Sequence, residues 1–349
     1  MKVFRKIIIL LLITVFLVGC YQGEQVIRED EQYKSVTITD ASGKDITITQ
    51  PIERVAILDH GTAEILRALG VIDLIVGNYQ ALDDNPFYPE LQGVPVVATH
   101  SEINFEKLAE VEPQMVFSSV RAHGVVTENE HLENFNIIDI KLNLRNPEVI
   151  KDEVILLGKL FGKEEKAQEL VDFYNKYEKI IESIIADVAP EDRATVFVEH
   201  HGGDFKTGAP GSRFYEQTIL AGAINIAEGL SGEPQVSDEW VAEINPDVFL
   251  REASGFGYHV TSNDNAKIIH QEIINRPALE NTKAVQNNSV YLIGVDIYSR
   301  PGYIVGVSYL ASWLYPDLFA DFDPEVVHKE YLELFHHGME YKGIYVYNQ

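Results

Sequence analysis

Histidine, arginine and tyrosine residues recur where predicted buried strands end. Arginine guanidinium groups bind carboxylates and metal chelates through paired charged hydrogen bonds, and imidazole nitrogens can coordinate a metal directly. Open α/β sheets bind ligands beyond the carboxyl ends of their strands, so these loops are candidates for one site. The candidate ligand-binding residues are His60, Tyr79, Arg121, His123, His200, Arg251, Tyr298 and Arg300, and the same loops contain Gln80, His100, His201, Tyr258 and His259.

The residue types leave more than one kind of ligand open. Arginine mixed with tyrosine suits a large anionic ligand such as a metal chelate. A free divalent metal needs three or four histidine or carboxylate ligands that converge on one point, for which His60, His123 and His200 are the candidates. The same histidines with a bound water would suit an extracellular metallohydrolase. A structural cell-surface protein would need no such loops.

Motifs of common enzyme classes do not occur in the chain. There is no Walker motif, G-x-S-x-G elbow, GxGxxG or H-E-x-x-H sequence, and Cys20 is the only cysteine. The folded part therefore has no disulfide and no nucleophilic cysteine. We expect a binding protein and not an enzyme.

The candidate loops belong to an alternation of buried strands and helices. A hairpin is predicted over residues 36–48, a buried strand follows at 54–58, and the alternation restarts at 194–198. This pattern predicts an α/β fold of two similar lobes with central parallel sheets. We place the N-terminal lobe at residues 35–146 and the C-terminal lobe at 191–349.

A long helical run lies between the two lobes, over residues 147–190. Gly158 and Gly162 interrupt it, which predicts a first helix over 147–161 and a second from about Lys163. Apolar residues in the second helix recur at spacings of three and four, so one face packs along its whole length. Pro190 ends the run. We expect these helices to connect the lobes rigidly.

Two fifteen-residue segments, 103–117 and 236–250, resemble each other across this connection. Each has an Asn or Ser cap, a short helix with a glutamate near its start, a proline and then a buried strand. Glu106 and Glu239 occupy equivalent positions, and so do Glu110 and Glu243.

The first twenty residues have the features of an export signal. Lys2, Arg5 and Lys6 precede an apolar run over residues 7–18, which is short for a membrane span. The run ends in LVGC, which resembles the lipobox of bacterial and archaeal lipoproteins and implies a lipid on Cys20. An uncleaved N-terminal anchor is the alternative. Residues 21–34 are polar and acidic and indicate a flexible stalk.

The formal charge of −26 excludes general nucleic-acid binding, which needs a basic surface. Loss of the signal would make the charge −29. The global charge does not exclude an anionic ligand, because the local charge of a cleft can oppose the global field.

Several segments together resemble one family. They are ITDASG at residues 38–43, PIERV at 51–55, TAEILRALG at 62–70, LGKLFGKEEKA at 157–167 and YLASWLYP at 309–316, besides the paired glutamate segments. The chain resembles the substrate-binding proteins of iron-siderophore, haem and cobalamin ABC importers over nearly its whole mature length.

This resemblance implies a ligand in the cleft between two lobes that close little. It implies an extracytoplasmic, monomeric lipoprotein on the outer face of the cytoplasmic membrane, with no covalently bound cofactor. The ligand would be an iron chelate, haem or a corrinoid.

In the family, one exposed glutamate per lobe pairs with arginines of the permease dimer, which the ATPase drives, and Glu106 and Glu239 match these positions. Arg300 before Pro301 matches an arginine that faces the cleft, although the neighbouring sequence departs from the family pattern.

Overall fold

The computed structural model describes residues 34–120, 132, 135–203 and 205–348. An antiparallel hairpin of β1 (Ser35–Thr39) and β2 (Asp45–Thr49) comes first, as predicted. Alternate residues of both strands are buried, so one face of the hairpin packs on the core. Asp40 closes the turn by accepting hydrogen bonds from Ser42 and Lys44.

The first lobe is built on a five-stranded parallel sheet. Its strands are β3 (Val55–Ile57), β4 (Ile75–Tyr79), β5 (Val96–Ala98), β6 (Met115–Ser119) and β7 (Ile138–Leu142), in the spatial order β5-β4-β3-β6-β7. All three residues of β3 are buried, as expected for a central strand of a parallel sheet. The order changes direction beside β3, so the loops after β3 and β6 face a common crevice.

Two helices of this lobe position candidate residues. Helix α1 (His60–Ala68) follows β3 and is capped by Asp59, whose carboxylate accepts from the Thr62 backbone N–H. Helix α2 (Phe105–Glu110) is capped by Asn104, which accepts from the Lys107 N–H. Short 3₁₀ turns at Ile72–Leu74, Gln80–Leu82 and Pro89–Leu91 complete the connections.

The connecting run consists of two helices, α3 (Ile150–Phe161) and α4 (Glu164–Ile185). Gly162 ends α3 in the left-handed conformation at φ 62°, which glycine adopts without steric cost. Helix α4 buries one stripe, which includes Ala167, Leu170, Tyr174, Tyr177, Ile181 and Ile185. The 3₁₀ turn Pro190–Asp192 follows. The two predicted helices are confirmed.

The second lobe has the same plan. Its sheet contains β8 (Thr195–Glu199), β9 (Ile224–Asn225), β10 (Val248–Ala253), β11 (Val290–Gly294) and β12 (Val346–Tyr347), in the order β12-β11-β10-β8-β9. Only β12 among these strands runs antiparallel to its neighbour. The helices are α5 (Arg213–Leu220), α6 (Asp238–Ile244), α7 (Asp264–Ile274), α8 (Lys283–Gln286), α9 (Val295–Tyr298), α10 (Tyr303–Leu314) and α11 (Pro324–Phe335).

A hydrophobic core runs without interruption from the first lobe through the connecting helices into the second. It includes Ile57 and Phe117 of the first sheet, Tyr174 of α4, Val198 of the second sheet and Tyr303 of α10. Residues 35–349 accordingly form one compact unit. A second core, around Phe197 and Phe249, lies within the second lobe. In the described part of the chain, no helix has the length and apolar character of a membrane span.

Candidate ligand-binding cleft

His60 is the first residue of α1, directly after the Asp59 cap and shortly after the end of β3. Its ring packs edge-on against Tyr79 at the end of β4, with ring centroids 4.8 Å apart. Both residues were predicted as ligand-binding from their strand ends, and the structure brings them together. Burial raises the pKa of the Tyr79 hydroxyl, so it stays protonated and can donate a hydrogen bond.

Arginine charges from both lobes act on His60. Burial lowers the pKa of His60 well below its ordinary value, and the positive charges of Arg300 and Arg145 lower it further. Arg145 follows β7 in the first lobe, and Arg300 follows α9 in the second. Burial and then repulsion from Arg300 and Arg213 lower the pKa of Arg145, although Asp59 and Glu252 oppose this. Guanidinium charges of the two lobes therefore act on one another and on His60.

The facing edge of the second lobe contains a buried carboxylate, Glu252 of β10. Its Oε2 lies 2.9 Å from His201 Nδ1, and its Oε1 accepts from the Ser299 hydroxyl. The Arg213 Nη2 is 3.8 Å from Oε2, and the Arg213 Nε donates to Ser299 at 2.7 Å. Burial opposes ionisation, but the His201 hydrogen bond, the Arg213 charge and the Ser299 hydrogen bond together lower the pKa of Glu252 to about 2.

The two adjacent histidines have different free nitrogens. His201 uses Nδ1 to donate to the ionised Glu252, so in the neutral form of the ring Nε2 is the nitrogen with a free lone pair. His200 accepts the Gly202 N–H at its Nδ1, 3.0 Å away, so its Nε2 carries the proton. Burial lowers the pKa of His200 to about 4, against the attraction of Glu252, so it is neutral at neutral pH.

Within the described residues, the group with metal-ligand spacing is His200, His201 and Glu252, whose ligand atoms lie within 4.8 Å of one another. The predicted alternative combined His200 with His60 and His123. His123 and Arg121 lie outside the described residues, as does Cys20. A carboxylate that holds the Nδ1 of a histidine is the usual arrangement behind a metal-ligating Nε2. The cluster therefore suits one histidine ligand to a metal complex better than a closed three-ligand site.

Two predicted ligand-binding residues have supporting contacts instead. Arg251 pairs with Glu199, its register partner on β8, and donates to the His201 carbonyl at 2.9 Å. Arg276 binds the other side of the same buried Glu199. Tyr298 is fully buried and stacks on Phe214, 6.0 Å between centroids. We infer that Arg251 holds the histidine loop and that Tyr298 belongs to the core.

Sequence reasoning missed three residues of this cleft, Arg145, Arg213 and Glu252. Arg145 lies at a strand end, so the rule that selected His60 also applied to it. Arg213 begins a helix and Glu252 lies inside a strand, where the alternation pattern gives no functional signal.

A small cavity of about 40 Å³ lies between the lobes, beside this cleft. Its lining combines His60 and Glu64 of α1 with Asp296, Arg300 and Tyr331 of the second lobe. The volume is room for one or two water molecules. Phe87 closes one side by packing against Tyr258, 5.4 Å between ring centroids.

The paired glutamates occupy equivalent exposed positions. Glu106 is the second residue of α2 and Glu239 the second residue of α6, and both side chains are exposed. Ser237 caps α6 as Asn104 caps α2. The repeat predicted from residues 103–117 and 236–250 is therefore confirmed in structure, with β6 and β10 as its strands.

Two parallel-sheet lobes joined by a long helix, with polar strand ends facing a shared cleft, define the class of solute-binding proteins that bind between two lobes. The chain belongs to the periplasmic binding protein family, whose model matches residues 55–296. The predicted family is thus confirmed.

Several known proteins are similar over most of their length. The uncharacterized ABC transporter substrate-binding lipoprotein YvrC of Bacillus subtilis is 28% identical, over 89% of this chain and 97% of that protein. The molybdate-binding protein MolA of Haemophilus influenzae is 25% identical, over 86% and 90%. The crystal structure of the TroA-like periplasmic binding protein FepB from Veillonella parvula has a TM-score of 0.73 at 22% identity, covering 90% of this chain and 99% of that one. Further relatives are named as binding proteins for Fe(3+)-citrate, ferric anguibactin or cobalamin, at 23–24% identity.

These relatives make the chain a solute-binding protein of ABC importers, which work with a permease and an ATPase. The family is extracytoplasmic and consists of binding proteins. The expected fold, class and general role are confirmed, and the ligand is a separate question because the relatives bind different ones.

Proposed function

We propose that this protein captures an anionic iron(III) complex between its lobes and delivers it to an ABC importer. The observation that carries the proposal is the arginine charge that both lobes direct at His60, since Arg145 and Arg300 both lower its pKa and Arg300 also lowers the pKa of Arg145. Two guanidinium groups held near each other repel, and a bound anion would turn that repulsion into attraction on both sides. The neutral His60 and the protonated Tyr79 would add hydrogen bonds to the same anion.

The second lobe would supply a metal ligand. Glu252 fixes the His201 ring by its Nδ1, and the free Nε2 could coordinate the iron of a chelate that is not coordinatively saturated. Arg251 supports this loop through the His201 carbonyl. A ferric siderophore, ferric citrate or haem fits this donor set better than a corrinoid, since a corrinoid needs fewer cationic partners.

A tetrahedral oxyanion is the second candidate. Arginine, histidine and tyrosine donors around one small region suit a compact dianion, and the relative MolA is named for molybdate. Such a ligand would use the arginines and His60 but would not need a free His201 nitrogen.

A calorimetric and thermal-shift screen tests the proposal. The panel is ferric citrate, ferric siderophores, haem, cobalamin, molybdate and the divalent ions Zn²⁺ and Mn²⁺, with sulfate as a control anion. A ligand at a hundredfold excess over its dissociation constant stabilises the fold by about 2.7 kcal/mol. We expect a clear melting shift with a ferric complex. Shifts with only cobalamin or only the divalent ions would refute the anion proposal.

His201→Gln separates the two anionic candidates. We expect it to weaken binding of a ferric complex at least tenfold and to leave molybdate binding within about twofold, because only the iron complex uses the free nitrogen. His337→Gln, at an exposed position, is the matched control. An equal loss for both ligands would assign His201 a structural role.

Lipidation of Cys20 and docking of Glu106 and Glu239 on the permease complete the proposal. Cys20 stands in the LVGC segment, and the relative YvrC is named a lipoprotein. Cys20→Ala should release the protein or leave its precursor uncleaved. Normal membrane retention of that variant at the mature size would refute the lipid anchor.

A further inference from the structure

Glu64 connects the two lobes at the small cavity beside the cleft. It lies one helical turn after His60 on α1, and its side chain is buried. Its Oε1 accepts the Gly302 N–H at 3.0 Å and the Tyr331 hydroxyl at 2.7 Å. Gly302 follows Arg300 by two residues, so this carboxyl joins the helix that begins with His60 to the segment that carries Arg300.

Charged and titratable groups face Glu64 from every element that packs on it. Arg300 and Asp296 lie on the second-lobe side, and His336 Nε2 after α11 is 3.9 Å from Oε1. Tyr88, Tyr174 and Tyr331 are protonated neighbours, because burial raises the pKa of each hydroxyl. His336 is neutral, because burial and the charge of Arg67 lower its pKa well below the ordinary value. Arg300 is thus the one cation among the groups named here that acts directly on the Glu64 carboxylate.

This carboxyl is divided between its two protonation states near neutral pH. Burial raises the pKa of Glu64 to about 7, although the Tyr331 hydrogen bond, Arg300 and the Gly302 N–H favour the ionised form. Glu64 and Arg300 both line the small interlobe cavity, which has room for water and so for proton exchange.

We propose that binding of an anion in the cleft is coupled to protonation of Glu64, which makes Glu64 a proton-linked positioning residue of the site. This inference rests on the proposed function. The positive charge of Arg300 favours the ionised form of Glu64. An anion beside Arg300 would neutralise that positive charge and would add a negative charge of its own. Both changes favour the protonated carboxyl. The neutral form still accepts from Gly302 and Tyr331, so the connection between the lobes is kept while the competing negative charge is removed.

Linkage sets the direction of the effect. If binding takes up a proton, affinity rises as the pH falls, by at most tenfold per pH unit. We expect binding roughly three- to tenfold tighter at about pH 6 than at about pH 8, with uptake of about half a proton near pH 7. An exported binding protein with this property would hold its ligand more firmly in acidic surroundings.

Calorimetry of the full-length folded protein tests the coupling. Ferric citrate and molybdate are titrated near pH 7 in Hepes and in Tris, whose ionisation enthalpies differ, so the difference in heat gives the protons taken up. Glu64→Gln keeps the carbonyl acceptor but cannot ionise, and we expect its uptake to fall to near zero. Glu153→Gln is the matched control, since burial raises the pKa of Glu153 to about 7 as well and no arginine is among the charges acting on it.

Tyr331→Phe provides an independent variant. Loss of its hydroxyl removes a hydrogen bond that favours the ionised form, so the pH at which affinity changes should move upward. Equal proton uptake in wild type and Glu64→Gln, or loss of uptake only in His60→Gln, would overturn the inference while the proposed function stands. If neither probe binds the wild type, the proposed anion site fails, and the inference fails with it.

Discussion

Arg145 shows how a functional residue can be visible in a sequence and still be missed. It follows the end of β7, as His60 follows the end of β3, but it was not among the predicted candidate residues. What singles it out is the repulsion from Arg300, which lies 155 positions further along the chain. No local pattern encodes repulsion between charges of the two lobes.

Arg145→Gln should weaken binding of the anionic ligand by about ten- to hundredfold, the usual effect of losing one charged hydrogen-bond partner. The unliganded variant should melt no lower than wild type, since the repulsion from Arg300 is relieved. Calorimetry and melting curves measure the two quantities. Arg54→Gln makes the same charge change at the amino end of β3, away from the cleft, and should bind within twofold of wild type. Comparable losses in both variants would mean that Arg145 acts only through the global charge.

Glu64 should also affect how the stability of the folded protein depends on pH. A carboxyl with a raised folded-state pKa binds more protons in the folded than in the unfolded protein between about pH 4.5 and 7, so its contribution is lost as the pH rises through that window. Glu64→Gln should therefore become more stable relative to wild type, by on the order of 1–3 kcal/mol, between about pH 5 and 8. Melting curves at several pH values measure the difference. A difference that is constant with pH would contradict the raised pKa.

At the scale of elements, periodicity and capping patterns predicted most of the fold. The stripe from Ala167 onward predicted α4, and the caps Asn104 and Ser237 predicted α2 and α6. The short strands β9 and β12, of two residues each, were not predicted, because their pairing depends on neighbours distant in sequence. The ion pair of Arg251 with Glu199 was not predicted, for a similar reason. A strand-end arginine looks the same in sequence whether it faces a ligand or a buried partner such as Glu199.

Gly158 determines how closely the two connecting helices approach. A Cβ on this residue would lie 2.4 Å from the Ala167 Cβ on α4, and neither atom can move without its helix. Alanine normally stabilises a helix by about 1 kcal/mol relative to glycine, but overpacking costs about 1–3 kcal/mol. We expect Gly158→Ala to lower the melting temperature by several degrees. Gly229→Ala, where a Cβ meets nothing within 4 Å, should be nearly neutral. Equal melting of the two variants would argue against close packing at α3 and α4.

For the whole molecule, rigidity and charge distribution matter more than any single contact. The continuous core from the first sheet through α4 to α10 resists a large rotation of the lobes. A body of fixed shape can present two separated charges at a constant spacing to a partner with two equivalent subunits. The acidic surface of this chain, at a formal charge of −26, agrees with a partner that offers arginines.

Glu106 and Glu239 are the charges that we propose for this contact. An alternative role is capping, but Asn104 and Ser237 already cap the two helices, and the Asn104 N–H donates to Val97 O and not to Glu106. Each carboxylate lies in the first turn of its helix, where the helix dipole favours a negative charge. Neither role requires these side chains for folding, since both are exposed.

The double reversal Glu106→Arg with Glu239→Arg should therefore leave melting and ligand affinity nearly unchanged. A surface ion pair contributes only about 0.2–1 kcal/mol, so the loss should appear in association with the permease and in coupling to it. The measurement is ligand-stimulated ATPase activity and uptake in proteoliposomes with the cognate permease and ATPase, where we expect both to be abolished. Glu110→Arg with Glu243→Arg is the matched control, at the other equivalent exposed pair. If uptake is normal in the Glu106 and Glu239 variant but lost in the Glu110 and Glu243 variant, the docking site lies four residues further along each helix. Normal uptake by both variants would refute docking through these helices.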